Sequence, residues 1–299
     1  MELGNLIQVL SGGLAMGAIY VLVALGLYIT HLTTHRVNFG QGDFLMVGAF
    51  LLLLFRKLDI PLGLAVIAVL VILAVMGWLL DRVAIRPLDR KKDTLIGAYS
   101  WMLTTAGVAL ILQNVIELGF GKTSQYSAPL FSSRRDEVVQ VLGAGLFLEE
   151  ILVIVAAVLI VGLFYGFMFH SRWGKAIQAV AFNPEAAMLL GIHTNRVKVG
   201  VFVIASILAA VAGVLIGPIV TINPQMGLVL TIKALIVAAI GGFANPVGIL
   251  IGGILFGVFE SISNYVDSGF GDLYPLLAAL IIIAIKPSGL FSERSADVR

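Results

Sequence analysis

The sequence predicts an all-α, polytopic integral membrane bundle of eight to nine spans, and three observations carry that prediction. Of the 299 residues, 60% are hydrophobic and only 12% charged, with a mean hydropathy of +1.05. Soluble domains hold roughly 45–50% apolar and about 25% charged residues, because water has to wet their surface. The charges are also clustered, leaving long stretches almost free of them. Finally, those stretches reach the ~20 apolar residues that a helix needs to cross a hydrocarbon layer about 30 Å thick. The whole chain, 1–299, therefore reads as one membrane domain with no soluble domain attached.

Apolar segments fall near 6–30, 43–58, 61–80, 95–117, 150–169, 199–221, 228–242, 247–265 and 272–286. The first follows Met1 to Gln8, where Glu2 is the sole charge. A secretory signal needs a basic start and a shorter apolar core, so a retained span is expected. The second and seventh segments are short and glycine-bearing. They read as half-helices, which sets the count at eight or nine.

Orientation follows from lysine and arginine in the short loops. Loop 81–93 holds Arg82, Arg86, Arg90, Lys91 and Lys92 before Asp93; loop 170–198 holds Arg172, Lys175, Arg196 and Lys198, with Glu185 as its acid. The end of the chain holds Lys286, Arg294 and Arg299. In loop 118–149, by contrast, Lys122, Arg134 and Arg135 are matched by Asp136, Glu137 and Glu149. The first three are expected on the cytoplasmic side and 118–149 outside. Nine crossings then put the N-terminus outside and the C-terminus inside.

An inverted internal repeat is expected. Asn38-Phe39-Gly40-Gln41-Gly42-Asp43 precedes the second segment, and Asn223-Pro224-Gln225-Met226-Gly227 the seventh. Spans one to four and six to nine look alike in hydropathy, and the single span between them inverts one half. Inverted repeats with broken helices at their interface are a transporter architecture. Two ordinary polar turns are the alternative. Gly213 and Gly217, Gly248 and Gly252, and Gly253 and Gly257 have the spacing that lets helix backbones touch. Pro218, Pro224 and Pro246 sit where helices can stop.

Several chemistries are excluded or weakened. There is no cysteine, hence no disulfide and no thiolate metal site. His31, His35, His170 and His193 have no ligand-like spacing, and no metal site is expected. The net charge of +2 reads as loop anchoring rather than nucleic-acid binding. Gly121-Lys122-Thr123 lacks the upstream glycine of a phosphate-binding loop. Any ATP hydrolysis would belong to another chain.

Polar groups inside spans are costly and usually face a cavity or the bundle interior. Asn38, Gln41, Asp43, Lys233, Glu260 and Asn264 are the candidates for a translocation path or gate. Gln113, Asn114 and Glu117 close the fourth span, and Ser261 and Ser263 flank Glu260. Lys233 and Glu260 could instead satisfy each other or snorkel to an interface.

Loop 171–198 carries the most specific local signal. Asn183-Pro184 reads as an N-cap followed by proline at the first helical position. Glu185 then meets the positive end of the helix dipole, and Gly191 supplies the stop. A short helix over 184–190 results, bearing Ala186, Ala187, Met188, Leu189 and Leu190. It could seat in a partner's groove or lie on lipid.

Glu185-Ala186-Ala187 followed by Gly191 resembles the coupling loop of ABC import permeases. Further stretches resemble the branched-chain amino acid permease family. They are Gly12 to Gly26, Val37 to Gly42, Asp81-Arg82-Val83-Ala84-Ile85-Arg86-Pro87-Leu88, the 183–196 loop, Asn223-Pro224 through Lys233-Ala234, Gly241-Gly242 and Lys286-Pro287-Ser288-Gly289. Gly40-Gln41 stands where such permeases often have Ala-His, and Ser100-Trp101 is also a departure. Both leave the solute open among branched-chain amino acids, urea, short amides and organic acids.

The resemblance implies a permease domain over 1–299, in a bacterial or archaeal cytoplasmic membrane, that is not itself an enzyme. It implies a second homologous permease, two cytoplasmic ATPase subunits and a soluble solute-binding protein as partners, besides the lipid bilayer. Cofactors, ATP and magnesium, would lie in the ATPases and none in this chain. Arg172, Lys175, Asn183, Glu185, Ala186, Ala187 and Gly191 would couple to them. The rival readings are an ion-driven secondary transporter, a membrane enzyme and an assembly factor. No run of intramembrane acids and no converging catalytic motif supports the first two.

Overall fold

The computed structural model describes residues 3–89, 95–127, 129–130, 138–141, 144–243, 245–286 and 289–291. Arg90 to Asp93, Arg134 to Glu137, Pro287, Ser288, Arg294 and Arg299 lie outside these. Among the described residues, every predicted apolar segment is a helix. These are α1 (Leu3–Thr34), α2 (Gln41–Lys57), α3 (Leu62–Leu79), α5 (Leu95–Phe120), α6 (Leu148–His170), α9 (Thr194–Ile216), α10 (Met226–Gly241), α11 (Pro246–Val266) and α12 (Leu273–Ile285). Six of them are long and apolar enough to cross a membrane alone: α1, α3 with its continuation, α5, α6, α9 and α11. The chain is a polytopic helical membrane bundle.

Burial sorts these helices. From Ile19 to Ile29, α1 is buried at every position, as befits a helix that is apolar all round and enclosed by others. It packs against α6, α9, α10 and α11. Glycine makes the closest of these contacts: a Cβ on Gly257 would lie 2.5 Å from Gly13 O and Gly17 Cα, and one on Gly17 would lie 2.7 Å from Gly253 O. Rising along α1 means descending α11, so the two are antiparallel. Gly213 likewise meets Leu45 and Ala49 of α2, and Gly248 meets Gly241 of α10. By contrast, only a minority of α3, α5 and α6 is buried.

The packing obeys an exchange of halves. With α1, α2, α3 and α5 swapped for α9, α10, α11 and α12, the α1–α11 contact maps onto α9–α3, α2–α9 onto α10–α1, and α2–α5 onto α10–α12. The α1–α9 and α2–α10 contacts map onto themselves. The sequence follows suit: residue numbers differ by 185 at Asn38 and Asn223, Gly42 and Gly227, Pro61 and Pro246, and Gly63 and Gly248.

Three local features depart from the sequence reading. The end of α3 does not stop near residue 80. It continues as a π-helical stretch, Leu80–Ile85, and then a turn, α4 (Arg86–Asp89), within the expected loop 81–93. Arg86 Nε lies 3.9 Å from Asp81 Oδ2 across it. Loop 171–198 is helical before residue 184 as well: α7 (Arg172–Phe182) precedes α8 (Pro184–Leu189). Finally, within the otherwise helical bundle, loop 118–149 holds a small antiparallel hairpin, β1 (Val138–Val141) paired with β2 (Ala144–Phe147).

Candidate solute path and coupling surface

The half-helix α2 starts inside the bundle, and its first turn meets that of α10. Gln41, the first residue of α2, donates its Nε2 to the Ala205 carbonyl of α9 (2.8 Å) and abuts Gly26 of α1. Gly26 stands eight residues before Thr34, the end of α1, which at 1.5 Å each is about 12 Å. Each start is built by the same turn. Asn38 Oδ1 accepts from Gly40 N at 3.1 Å, and Asn223 Oδ1 accepts from Gln225 N at 3.1 Å. In both, the asparagine carbonyl then accepts from the N–H three residues on, Gln41 and Met226, at 3.2 Å. An asparagine that bonds its own backbone offers the chain a turn in place of a helix, which is how each helix is interrupted.

The two starts touch. Gly42 N donates to Thr231 Oγ1 (2.8 Å), whose hydroxyl donates to Gly227 O (2.9 Å). The Asp43 carboxylate lies directly against Gly227, and a Cβ there would sit 2.7 Å from Asp43 Cγ. Asp43 is wholly buried. Its Oδ1 accepts from Gln113 Nε2 of α5 at 2.9 Å, while Oδ2 has no partner. Two positive helix ends, those of α2 and α10, therefore face this carboxylate and favour its charge. Asn38 Nδ2 donates to Gln41 Oε1 (3.3 Å). The structure thus pairs Asn38 with Gln41 on the side of α1 and α9, and turns Asp43 to the other side, toward Gln113 of α5 and Gly227 of α10.

Lys233 and Glu260 form a second cluster. Lys233 Nζ donates to Glu260 Oε1 at 2.8 Å and to Asp272 Oδ1 at 3.1 Å. Tyr20 of α1 donates its hydroxyl to Glu260 Oε1 (3.0 Å), and Lys233 Nζ lies 5.8 Å from the Tyr20 ring centroid. The side chains of Lys233 and Glu260 are each 11% exposed, that of Asp272 67%. Of the readings open for Lys233 and Glu260, mutual satisfaction is what this conformation adopts. Asn264 stays apart: it donates to the Glu260 carbonyl of its own helix (3.0 Å) and packs against Gly271.

At one end of the bundle, loop 171–198 is stiffened at each joint. Ser171 Oγ caps α7 by accepting from Gly174 N (2.8 Å), and Ile177 and Val180 anchor that helix inward. Asn183 Oδ1 accepts from Glu185 N and Ala186 N, both at 3.0 Å, with Pro184 at the first position of α8. The C-terminus of α8 closes with Gly191 at φ +81°. Gly191 N donates to Met188 O, and Ile192 N to Ala187 O, each at 3.0 Å. This pair of bonds with a left-handed glycine satisfies the last carbonyls of a helix.

What the loop buries and exposes matters more. Ala187 is buried and is the anchor of α8; Arg172, Lys175, Asn183, Glu185, Ala186 and Gly191 are exposed. So are Phe182 (94%), Leu189 (90%) and Leu190 (79%). A cleft of about 400 Å³ opens beside them, lined by Met188, Gly191, Ile192, His193 and Arg196 among others.

Sequence reasoning did not find Tyr20, Asp272 or Thr231. Tyr20 and Asp272 are 240 and 39 residues from the groups they bind, and nothing local marks them. The Phe182 tip was missed because α7 was not recognised as a helix, although its apolar residues recur at helical spacing.

Comparison with known proteins agrees with this architecture. The family described as "Branched-chain amino acid transport system / permease component" matches residues 9–286. The high-affinity branched-chain amino acid transport system permease protein LivH of Escherichia coli (strain K12) is 28% identical, over 97% of both chains. Its counterpart BraD of Pseudomonas aeruginosa is 30% identical over 99% of both. A probable branched-chain amino acid transport permease protein LivH of Methanocaldococcus jannaschii is 30% identical over 95% of this chain and 91% of its own. No solved structure matches. The match spans the bundle from α1 to the end of α12, and the chain belongs to the family of branched-chain amino acid transport permease components, non-catalytic multi-pass membrane proteins.

Proposed function

We propose that this chain is the membrane-embedded subunit of an ATP-driven importer of branched-chain or chemically related amino acids in a bacterial or archaeal cytoplasmic membrane. Family membership supports the transport role, and the names of the full-length relatives support the solute. The observation that carries the coupling is the capped α7–α8 element, whose tip exposes Phe182, Leu189 and Leu190. Apolar side chains at that level of exposure gain about 1.5–3 kcal/mol each when buried. The caps hold them in one geometry, and a short helix seated in a groove is a recurrent way of docking.

In this reading loop 171–198 lies on the cytoplasmic side and docks on one of two ATPase subunits, which hold ATP and magnesium. A second homologous permease and a soluble solute-binding protein complete the importer. Closure of the ATPases moves the loop and switches the path from inward- to outward-facing. Asn38, Gln41, Asp43, Lys233, Glu260 and Asn264 stand along or beside that path.

The test is co-purification. Glu185→Arg, and separately Leu189→Asp with Leu190→Asp, are expected to release the ATPase subunits while the helical content and the oligomeric profile stay unchanged. Retention of the ATPases by both variants refutes the coupling. Uptake by the purified chain alone, driven by an ion gradient, would establish a secondary transporter instead.

A further inference from the structure

We propose that the meeting point of α2 and α10 is a waypoint for the solute, where Asp43 takes the ammonium of an α-amino acid and the N-terminus of α10 takes its carboxylate. The proposal rests on the amino-acid reading above and names the site at which that solute pauses.

Three independent observations lead there. The first is Asp43 Oδ2, a buried carboxylate oxygen without a partner on a wholly buried residue. Leaving such a group unmet is costly, more so for a charge. Among the described residues no cation pairs with it: the lysine in the same helix pair, Lys233, is committed to Glu260 and Asp272.

The second is the start of α10. No side chain caps it, so the first-turn N–H groups beyond Met226, whose N–H goes to the Asn223 carbonyl, keep their capacity for an anion. Asp43 lies against Gly227 in that same turn. The ammonium and carboxylate of an α-amino acid are carried on one carbon. Backbone donors and an acceptor side by side at this junction therefore match the two ends of a zwitterion.

The third is access. Beside the site, Leu228 and Val229 of α10 are half-exposed, and Asn114 of α5, next to Gln113, is exposed. The exposed positions of α3 up to Leu79 and of α6 up to Phe169 carry no charged or amide side chain, as lipid requires. An exposed amide within a span marks a surface that faces water or another subunit. Gln113 lies between that surface and Asp43, so its departure from Oδ1 would open the carboxylate to the path.

The experiment uses the assembled transporter in proteoliposomes, with L-leucine as the probe. Asp43→Asn keeps the shape and the bond from Gln113 but removes the charge. Uptake is expected to fall about tenfold to a hundredfold, the weight of one charge-assisted hydrogen bond, with the ATPase subunits still bound. Uptake at the wild-type rate overturns the site alone. A wild-type complex that moves no branched-chain amino acid overturns the solute reading, and the site with it. In case the variant does not assemble, labelling of wild-type Asp43 by dicyclohexylcarbodiimide, read by peptide mass spectrometry, decides. L-leucine is expected to slow that labelling, and 4-methyl-2-oxopentanoate, which lacks the ammonium, is not. Equal labelling with and without leucine overturns the proposal.

Discussion

The starts of α2 and α10 share a backbone and differ in what they carry. Both begin with an asparagine turn, and both place a glycine where the two helices cross. The first turn of α2 is sealed, and its third residue is the buried Asp43. The corresponding residue of α10 is Leu228, half-exposed. One turn and a half further on, Gly48 of α2 packs on the Ala210 backbone, with 3.3 Å between a built Cβ and Ala210 Cα. Its counterpart in α10 is Lys233, paired with Glu260 and Asp272. The repeat thus supplies the scaffold, and chemistry enters where the halves stop matching. Backbone close-packing tolerates only small residues at the crossing, so it holds the halves alike there; away from the crossing nothing enforces likeness.

This contrast can be broken at its charges first. Lys233→Met leaves Glu260 buried without its cation and is expected to destabilise the chain by about 3–5 kcal/mol. Thermal unfolding in detergent would read it, and Lys233→Met with Glu260→Gln should recover most of the loss. No recovery would show that Lys233 acts by something other than pairing.

The paired glycines Gly63 and Gly248 sharpen it next. A Cβ at Gly248 would meet the Gly241 carbonyl and Phe291, so Gly248→Ala is expected to cost about 1–3 kcal/mol through overpacking. At Gly63 there is open space, and Gly63→Ala should stabilise by about 0.5–1 kcal/mol, since alanine is the better helix former. The same assay compares them, and equal effects would mean that the α10–α11 contact is looser than described.

The turns themselves should differ less. Asn38→Ala removes a bond to Gly40 N and one to Gln41 from a buried site, for about 1–2 kcal/mol. Asn223→Ala removes the bond to Gln225 N at the surface, for about 0.5–1 kcal/mol. Amide hydrogen exchange at the first turns of α2 and α10 would separate the two, with faster exchange expected in both and a larger change in α2.

Much of the path was legible as a list of residues and little of it as an arrangement. Asn38, Gln41 and Asp43 stood out because polar groups at membrane depth need a reason. That Asp43 receives Gln113, 70 residues away, has no local trace. Lys233 and Glu260 could be suspected of pairing, being the lone charges of their segments, but the third and fourth members, Asp272 and Tyr20, could not. The coupling loop was read more fully, since a cap, a proline and a stop glycine are local chemistry. Yet the sequence could not say that Ala187 faces inward and Leu189 and Leu190 outward. The course of the chain past residue 80 also escaped it, because a π-helical continuation has no signature of its own in a basic loop.

By itself the sequence determined the membrane-spanning class, the positions of the apolar helices and the two interruptions among them. These follow from local hydropathy and from what asparagine, glycine and proline do to their own backbone. Only the tertiary structure decided that α2 starts inside the bundle and that the two interrupted helices face each other across two glycines. It alone brought an aspartate to that junction with one oxygen unmet. Contacts between residues far apart in the chain depend on how whole helices pack, and no short stretch of sequence carries that information.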